Sequence, residues 1–226
     1  MSYGPMNNAA REAILGSIRS HLTASLSHDA HEHPVNPENP VILSKVVPPV
    51  SLTESFKQSL EAVDGQCIVA KDDAAIAQAL TEIITKLHGQ RLAISDNPVV
   101  ERLLQLTDLE IEELGVAPDS REIFRFDIGI TTAQAAIADT GTLVLDSASE
   151  RHRLASLVPP VHIAIIGASR IFASLGEVLS FLQKDKTVSP AVTFVTGPSR
   201  TADIELTLAI GVHGPQQLYV IVGLGS

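Results

Sequence analysis

The sequence predicts an α/β fold, a mostly parallel central sheet with helices on both faces. Three observations carry this. Short apolar runs alternate along the chain with stretches of helical apolar spacing, and strands alternating with helices imply crossover connections between parallel strands. Hydrophobic residues make up 45% of the 226, yet aromatics only 4% and Trp none, so the core is built from Ile, Leu, Val and Ala, the composition of a sheet buried on both faces. The late apolar runs also meet Gly-Pro turns, Gly197-Pro198 and Gly214-Pro215, that bring backbone amides close to whatever sits beside a strand end.

Taken in order, residues 8–26 read as an amphipathic helix, with Ile14, Ile18 and Leu22 spaced by four. Residues 28–49, rich in His, Pro, Asn and Ser, read as an extended linker. The predicted organisation is therefore an N-terminal helix and linker (1–50) followed by one α/β domain (51–226). Helical spacing returns at Phe56, Leu60 and Val63. A strand at 66–70 precedes a helix over 72–87, for which Asp72 is the expected N-cap. Strand 91–95 leads through Asp96-Asn97-Pro98 into a helix over 99–106. Beyond Pro118 the reading is strand 123–126, an Ala-rich helix 131–138, and strands 142–146 and 161–166. It continues with helix 171–182, strand 192–196, helix 202–210 and strand 218–222. Gly141, Gly197 and Gly211 are expected at the carboxyl-end rim of one sheet, where open α/β folds bind ligands.

Charge and cysteine usage exclude several classes. The formal net charge is −10, and the basic residues form no run that would follow a phosphate backbone, so nucleic acid is not an expected partner. The single Cys67 lies in an apolar run, which excludes an intrachain disulfide framework and an Fe–S cluster held by this chain's cysteines alone. No apolar run approaches the ~20 residues of a membrane span, and residues 1–8 lack signal-peptide character; a cytoplasmic location is expected. Neither GxGxxG nor GxxxxGK[ST] occurs.

The candidate site centres on residues 197–205. Gly197, Ser199, Arg200, Thr201, Asp203 and Glu205 form a turn whose amides, hydroxyls and guanidinium suit a small anion, a carboxylate or phosphate. A capped helix start needs only one or two of these groups. His213, between glycines, is either a general base or ligand, or the residue that fixes the turn before the last strand. Asp139, with Gly141 and Thr142, either presents a carboxylate into a cleft or satisfies amides of its own turn. Asp139 and His213 are the catalytic candidates, and Asp139 and Arg200 are expected in one cleft. Arg151 and Arg153 suit an anion at a strand end, with His152 in a solvated loop, while His162 is expected to pack within its strand. The cluster His28, His31 and His33 lies in a Pro- and Asn-rich stretch without a fixed shell, so no metal site is expected.

Those stretches carry a family resemblance. GPSRTADIE (197–205) with GVHGP (211–215), ADTGTLVLDS (138–147) and RHRLASLVPPVHIAIIG (151–167) resemble the lactate utilisation protein C family. Its members are the small LUD-domain subunits of a bacterial three-protein lactate-oxidation system, and the resemblance extends over roughly 123–223. It implies a fold similar to the 5-formyltetrahydrofolate cyclo-ligase, sugar-phosphate isomerase and CoA-transferase group. It also implies a role in oxidising L-lactate to pyruvate, and a cleft position for the acid at 139.

Two readings of function follow. In the first the chain is a non-redox subunit that holds no cofactor, acting with Cys-rich and Fe–S LUD-domain proteins that carry the clusters. In the alternative it is a free-standing enzyme of cyclo-ligase or isomerase type, binding a phosphorylated or carboxylate small molecule.

Overall fold

The computed structural model describes residues 8–27, 49–147, 153–184, 191–202, 208–210 and 214–225. The chain divides into two compact units, residues 1–43 and 44–226. The first contributes one described element, helix α1 (Asn8–Ser27), on which Ile14 and Ile18 are exposed. The expected linker, with His28, His31 and His33, lies outside the described residues.

The second unit opens with helix α2 (Pro49–Ala62), strand β1 (Gln66–Ala70) and helix α3 (Asp73–Lys86). Asp72 caps α3 as its sequence predicts, its carboxylate accepting from the Ala75 amide at 2.9 Å. Strand β2 (Arg91–Ile94) leads into helix α4 (Pro98–Gln105), capped by Asn97, whose side-chain oxygen accepts from the Val99 amide. Strands β3 (Glu113–Val116) and β4 (Ile128–Thr132) follow, then β5 (Ala135–Ile137) and β6 (Thr142–Asp146). The short helix α5 (Leu154–Leu157), β7 (Val161–Gly167), β8 (Ile171–Phe172) and helix α6 (Leu175–Lys184) come next. Strands β9 (Val192–Thr196), β10 (Arg200–Ala202), β11 (Leu208–Ile210) and β12 (Gln217–Gly223) complete the described elements.

Six strands form the central sheet in the order β1-β12-β7-β4-β2-β3, every pair parallel. The two-residue period of the strands sorts side chains between two cores. Ile163, Ile165, Tyr219 and Ile221 pack against Ile76, Leu80, Ile83 and Ile84 of α3 and Val100, Leu103 and Leu104 of α4. Their alternates Ala164, Ile166, Leu218, Val220 and Val222 pack against Phe56 and Leu60 of α2 and against Ala136, Leu143 and Leu145. Helices thus cover both faces, as the α/β reading requires. Buried polarity is sparse: His162 and Thr131, both fully buried, share a 2.9 Å hydrogen bond between neighbouring strands.

A second sheet has the order β8-β5-β6-β9; the sequence reading found β6 and β9 as strands but neither β5 nor β8. Residues 131–138, read as a helix, are the end of β4 and all of β5. Alanine's helix advantage is only tenths of a kcal/mol over most residues, whereas both alanines are fully buried, Ala136 against the central sheet's core and Ala135 under α6 with Val144 and Val178. The strand expected at 123–126 is instead a single 3-10 turn, Ile123–Arg125. Asp119 winds it by accepting from the Arg121 and Glu122 amides, and Ile123 and Phe126 plug a small core beneath Ala93 and Ala155. The helix expected from 171 begins only at Leu175, because Ile171 and Phe172 pair with Ala136 and Ile137. The helix expected over 202–210 is replaced at both ends by strands, Arg200–Ala202 running antiparallel to Leu208–Ile210.

Candidate functional site

The Gly-Pro turns do converge, but on the opposite edge from the one predicted. Strand β9 runs antiparallel to β6, so its carboxyl end, Gly197, meets Gly141 at the start of β6. Both glycines have positive φ, +62° and +75°, and both abut the end of α2. A Cβ on Gly141 would lie 2.3 Å from the Leu60 amide nitrogen, and one on Gly197 would lie 2.5 Å from the Val63 carbonyl oxygen. These two positions therefore admit only glycine, for helix packing. From Gly197 the chain crosses to the amino ends of β12 and β7: the Ser199 amide donates to the Pro215 carbonyl at 2.8 Å and the Gln216 amide to the Pro160 carbonyl at 2.7 Å. The site thus stands at the amino-terminal rim of the central sheet, not the carboxyl rim.

A cleft of about 500 Å³ opens there. Strand β9 and its continuation, Thr193 to Arg200, make one wall; Ser156 and Leu157 of α5, Val63, Gly214 and Pro215 make the rest. Among the described residues none of the lining is acidic, in a chain of net charge −10. Arg200 brings the only cation among the described lining residues, and its guanidinium is ion-paired to Asp64 in the turn between α2 and β1. Asp64 is itself left-handed, at φ +62°. Both partners are well exposed, so the pair adds little to folding, while it holds the guanidinium at the cleft.

Hydroxyls supply the rest of the polarity. Thr140, Thr142 and Thr196 form a chain at 2.6 and 2.7 Å, Oγ1 to Oγ1, ending on the cleft wall. Thr142 is buried, so its orientation is set by its two neighbours. Ser156 is also buried, its hydroxyl donating to the Arg153 carbonyl.

Of the sequence-predicted residues, the fold brings together Gly197, Ser199 and Arg200 on the cleft, with Gly141 and Thr142 behind its wall. Thr201 lies in β10. Asp139 sits exposed in the β5–β6 turn, its amide donating to the Ala173 carbonyl and its carbonyl accepting from Ser59, and it does not line the cleft that holds Arg200. Asp203, Glu205, Gly211, His213, Arg151 and His152 lie outside the described residues. His162 packs within its strand as read: it is fully buried, and burial pushes its imidazole down to about 4. Sequence reasoning missed Asp64, Ser156 and Thr196. The threonine chain had a local signal in ADTGT, but Asp64 is brought to Arg200 only by the tertiary fold.

Among the described residues no group of His, Cys, Asp and Glu gathers as metal ligands. No helix there is long and apolar enough to cross a membrane.

Comparison with known proteins bears on the whole domain. Lactate utilization protein C of an Exiguobacterium strain is 32% identical over 232 aligned positions, covering 98% of this chain and 99% of that protein. A protein of Neisseria meningitidis serogroup B with no assigned function is 42% identical over 156 positions, 66% of this chain and 64% of its own. Among solved structures, a DUF162 family protein from Deinococcus radiodurans superposes with a TM-score of 0.59 at 19% identity, covering 78% of this chain and 98% of that one, a likeness of fold. Residues 53–222 match the LUD domain, spanning β1 to β12 and the cleft between them, and the chain belongs to the LUD domain family.

Proposed function

We propose that this chain serves lactate utilisation as a non-redox component that binds a small carboxylate or phosphate in the Arg200 cleft, while cluster-bearing partner proteins carry the electrons. The observation that carries the reading is a cleft whose described lining holds a positioned guanidinium and no acid, on a strongly acidic LUD domain. The name of the Exiguobacterium relative, similar over nearly the full length, supports the pathway. The division of labour is supported by Cys67. It is the chain's one cysteine, it is buried in β1, and burial pushes its thiol up to about 12. A thiol held protonated is a poor metal or cluster ligand.

In this mechanism Arg200 exchanges Asp64 for the ligand's anionic group. The threonine chain can orient so that each hydroxyl donates toward the cleft, Thr140 to Thr142 to Thr196, leaving the Thr196 proton for a ligand oxygen. The apolar remainder of the wall, Val63, Leu157 and Pro215, sheds water from around the pair and strengthens it.

Two outcomes test this. Arg200→Ala is expected to abolish complementation of a deletion strain on lactate as sole carbon source at normal protein abundance. Losing a charge-assisted hydrogen bond costs about 1.5–3 kcal/mol of binding, roughly a 10- to 150-fold weaker anion affinity by calorimetry. The melting temperature should hold nearly constant. Full growth of the variant removes the guanidinium from the function, and lactate-dependent dye reduction by the isolated chain overturns the non-redox reading. Separately, Cys67 in the folded chain should resist alkylation by iodoacetamide at pH 8 and react only on unfolding; rapid labelling of the native protein would return the thiol to the list of reactive groups.

A further inference from the structure

One hydroxyl on the cleft wall has a fixed direction. Ser156 lines the cleft from α5, yet it is only 3% exposed. Its hydroxyl donates to the Arg153 carbonyl at 2.8 Å, and its amide donates to the same carbonyl at 3.1 Å. A serine hydroxyl has one proton and two lone pairs. The proton is committed inside α5, so toward the cleft Ser156 acts as an acceptor, and among the described residues no donor reaches it. Back-bonding of this kind is common for serine in a helical turn; it accounts for the proton and leaves the lone pairs open. Thr196 differs, because its partner Thr142 can either give or take the proton, so that hydroxyl adapts to whatever meets it.

The position of α5 is fixed from two sides. A Cβ on Gly129 of β4 would overlap the Ala155 carbonyl, so the turn rests directly on the central sheet. Its far end approaches the Arg200 turn: a Cβ on Gly214 would lie 3.1 Å from the Ser199 Cβ and 3.8 Å from the Leu157 carbonyl oxygen. Ser156 and Arg200 are sequence neighbours of Leu157 and Ser199, and they border the same cleft.

We propose that Ser156 is a specificity-determining residue of this cleft. It selects an oxyanion that carries its own hydroxyl, a 2-hydroxy carboxylate or a hydrogen phosphate, over the same kind of anion without one. The proposal rests on the anion reading of the Arg200 cleft and narrows its ligand class. A guanidinium only donates, so Arg200 takes the charged oxygens and has nothing to offer a ligand proton. Ser156 supplies the complement, an acceptor for the ligand's O–H. Without that hydroxyl the buried oxygen stays unpaired, and sites built to bond a hydroxyl reject the analogue lacking it for this reason. Val63, Leu157 and Pro215 beside it bring apolar side chains.

Titration calorimetry of the full chain against two matched pairs tests this: L-lactate with propionate, and phosphate with sulfate at pH 7. In the wild type each hydroxyl-bearing anion is expected to bind about three- to tenfold more tightly than its partner, the contribution of one hydrogen bond. Ser156→Ala should bring the members of a pair within about twofold, by weakening the hydroxyl-bearing one while propionate and sulfate hold their wild-type affinity. A folding defect would move all four anions together, so the ratio reports the hydroxyl rather than the fold. A preference in one pair alone supports the proposal and identifies the oxyanion. Equal affinities within both wild-type pairs overturn it and leave the anion reading standing, as does a preference that Ser156→Ala preserves. Failure of all four anions to bind, or binding that survives Arg200→Ala, overturns the anion reading and this proposal with it.

Discussion

Gly141→Ala is expected to lower the melting temperature by about 6–12 °C. A Cβ at this position would sit 2.3 Å from the Leu60 nitrogen and 2.5 Å from its Cα. These are backbone atoms of a helix whose Phe56 and Leu60 are fully buried, so nothing nearby swings aside. The residue also holds φ at +62°, which a β-carbon disfavours. Overpacking and backbone strain each cost about 1–3 kcal/mol, and their sum near 3 kcal/mol converts at roughly 2–4 °C per kcal/mol for a domain of this size. Calorimetry of Gly141→Ala against Thr140→Ala, which alters the same turn without a clash, checks it. A shift under 2 °C would mean that α2 is not seated on this turn.

The second large effect is acid lability centred on His162. The imidazole is fully buried on β7, bonds Thr131 through Nε2, and leaves Nδ1 without a hydrogen-bond partner. Burial lowers its folded-state pKa from 6.5 to about 4. The unfolded chain therefore takes up this proton first as pH falls. Stability from this residue is intact above 6.5, declines as pH drops below it, and stops declining near 4, where the folded form protonates too. At about 1.36 kcal/mol per pH unit, the loss by pH 5 is roughly 2 kcal/mol. His162→Asn should be less stable at pH 7.5, because it leaves Thr131 and a cavity behind, yet show a flatter profile from 7 to 5 in urea melts. Parallel profiles for the two proteins would assign the acid sensitivity elsewhere.

What the sequence disclosed follows how local each signal is. The parallel core was legible because β7 and β12 are runs of Ile, Val and Leu buried on both faces, and because Asp72 and Asn97 announce the helices that follow them. The second sheet was legible only in part: β6 and β9 read as strands from their apolar runs, but β5 is a three-residue stretch with two alanines and β8 has two residues, and their β character comes from pairing with each other and with β6. The candidate site divided the same way. Gly197, Ser199 and Arg200 were visible as one cluster, but their position at the amino rim depends on β9 running against β6, which no local pattern encodes. Arg200's partner Asp64 was hidden for that reason too.

The pairing of β1 with β12 has a consequence for how the protein is made. Strand β1 occupies one border of the central sheet, and among the described residues its only partner there is β12. A chain growing from its N-terminus produces β1 early, yet its sheet partner β12 emerges about 150 residues later. Until then β1 has no strand to pair with, and α2 can dock only on the small sheet, through Ala136, Leu143 and Leu145. Seating of β1 is therefore a late event, slowed by the long loop that must close, and its apolar side stays exposed meanwhile. Loss of the seven-residue β12 would strip β1 from the sheet as well, so a chain truncated before β12 is a substrate for chaperones and proteases rather than a slightly shortened domain.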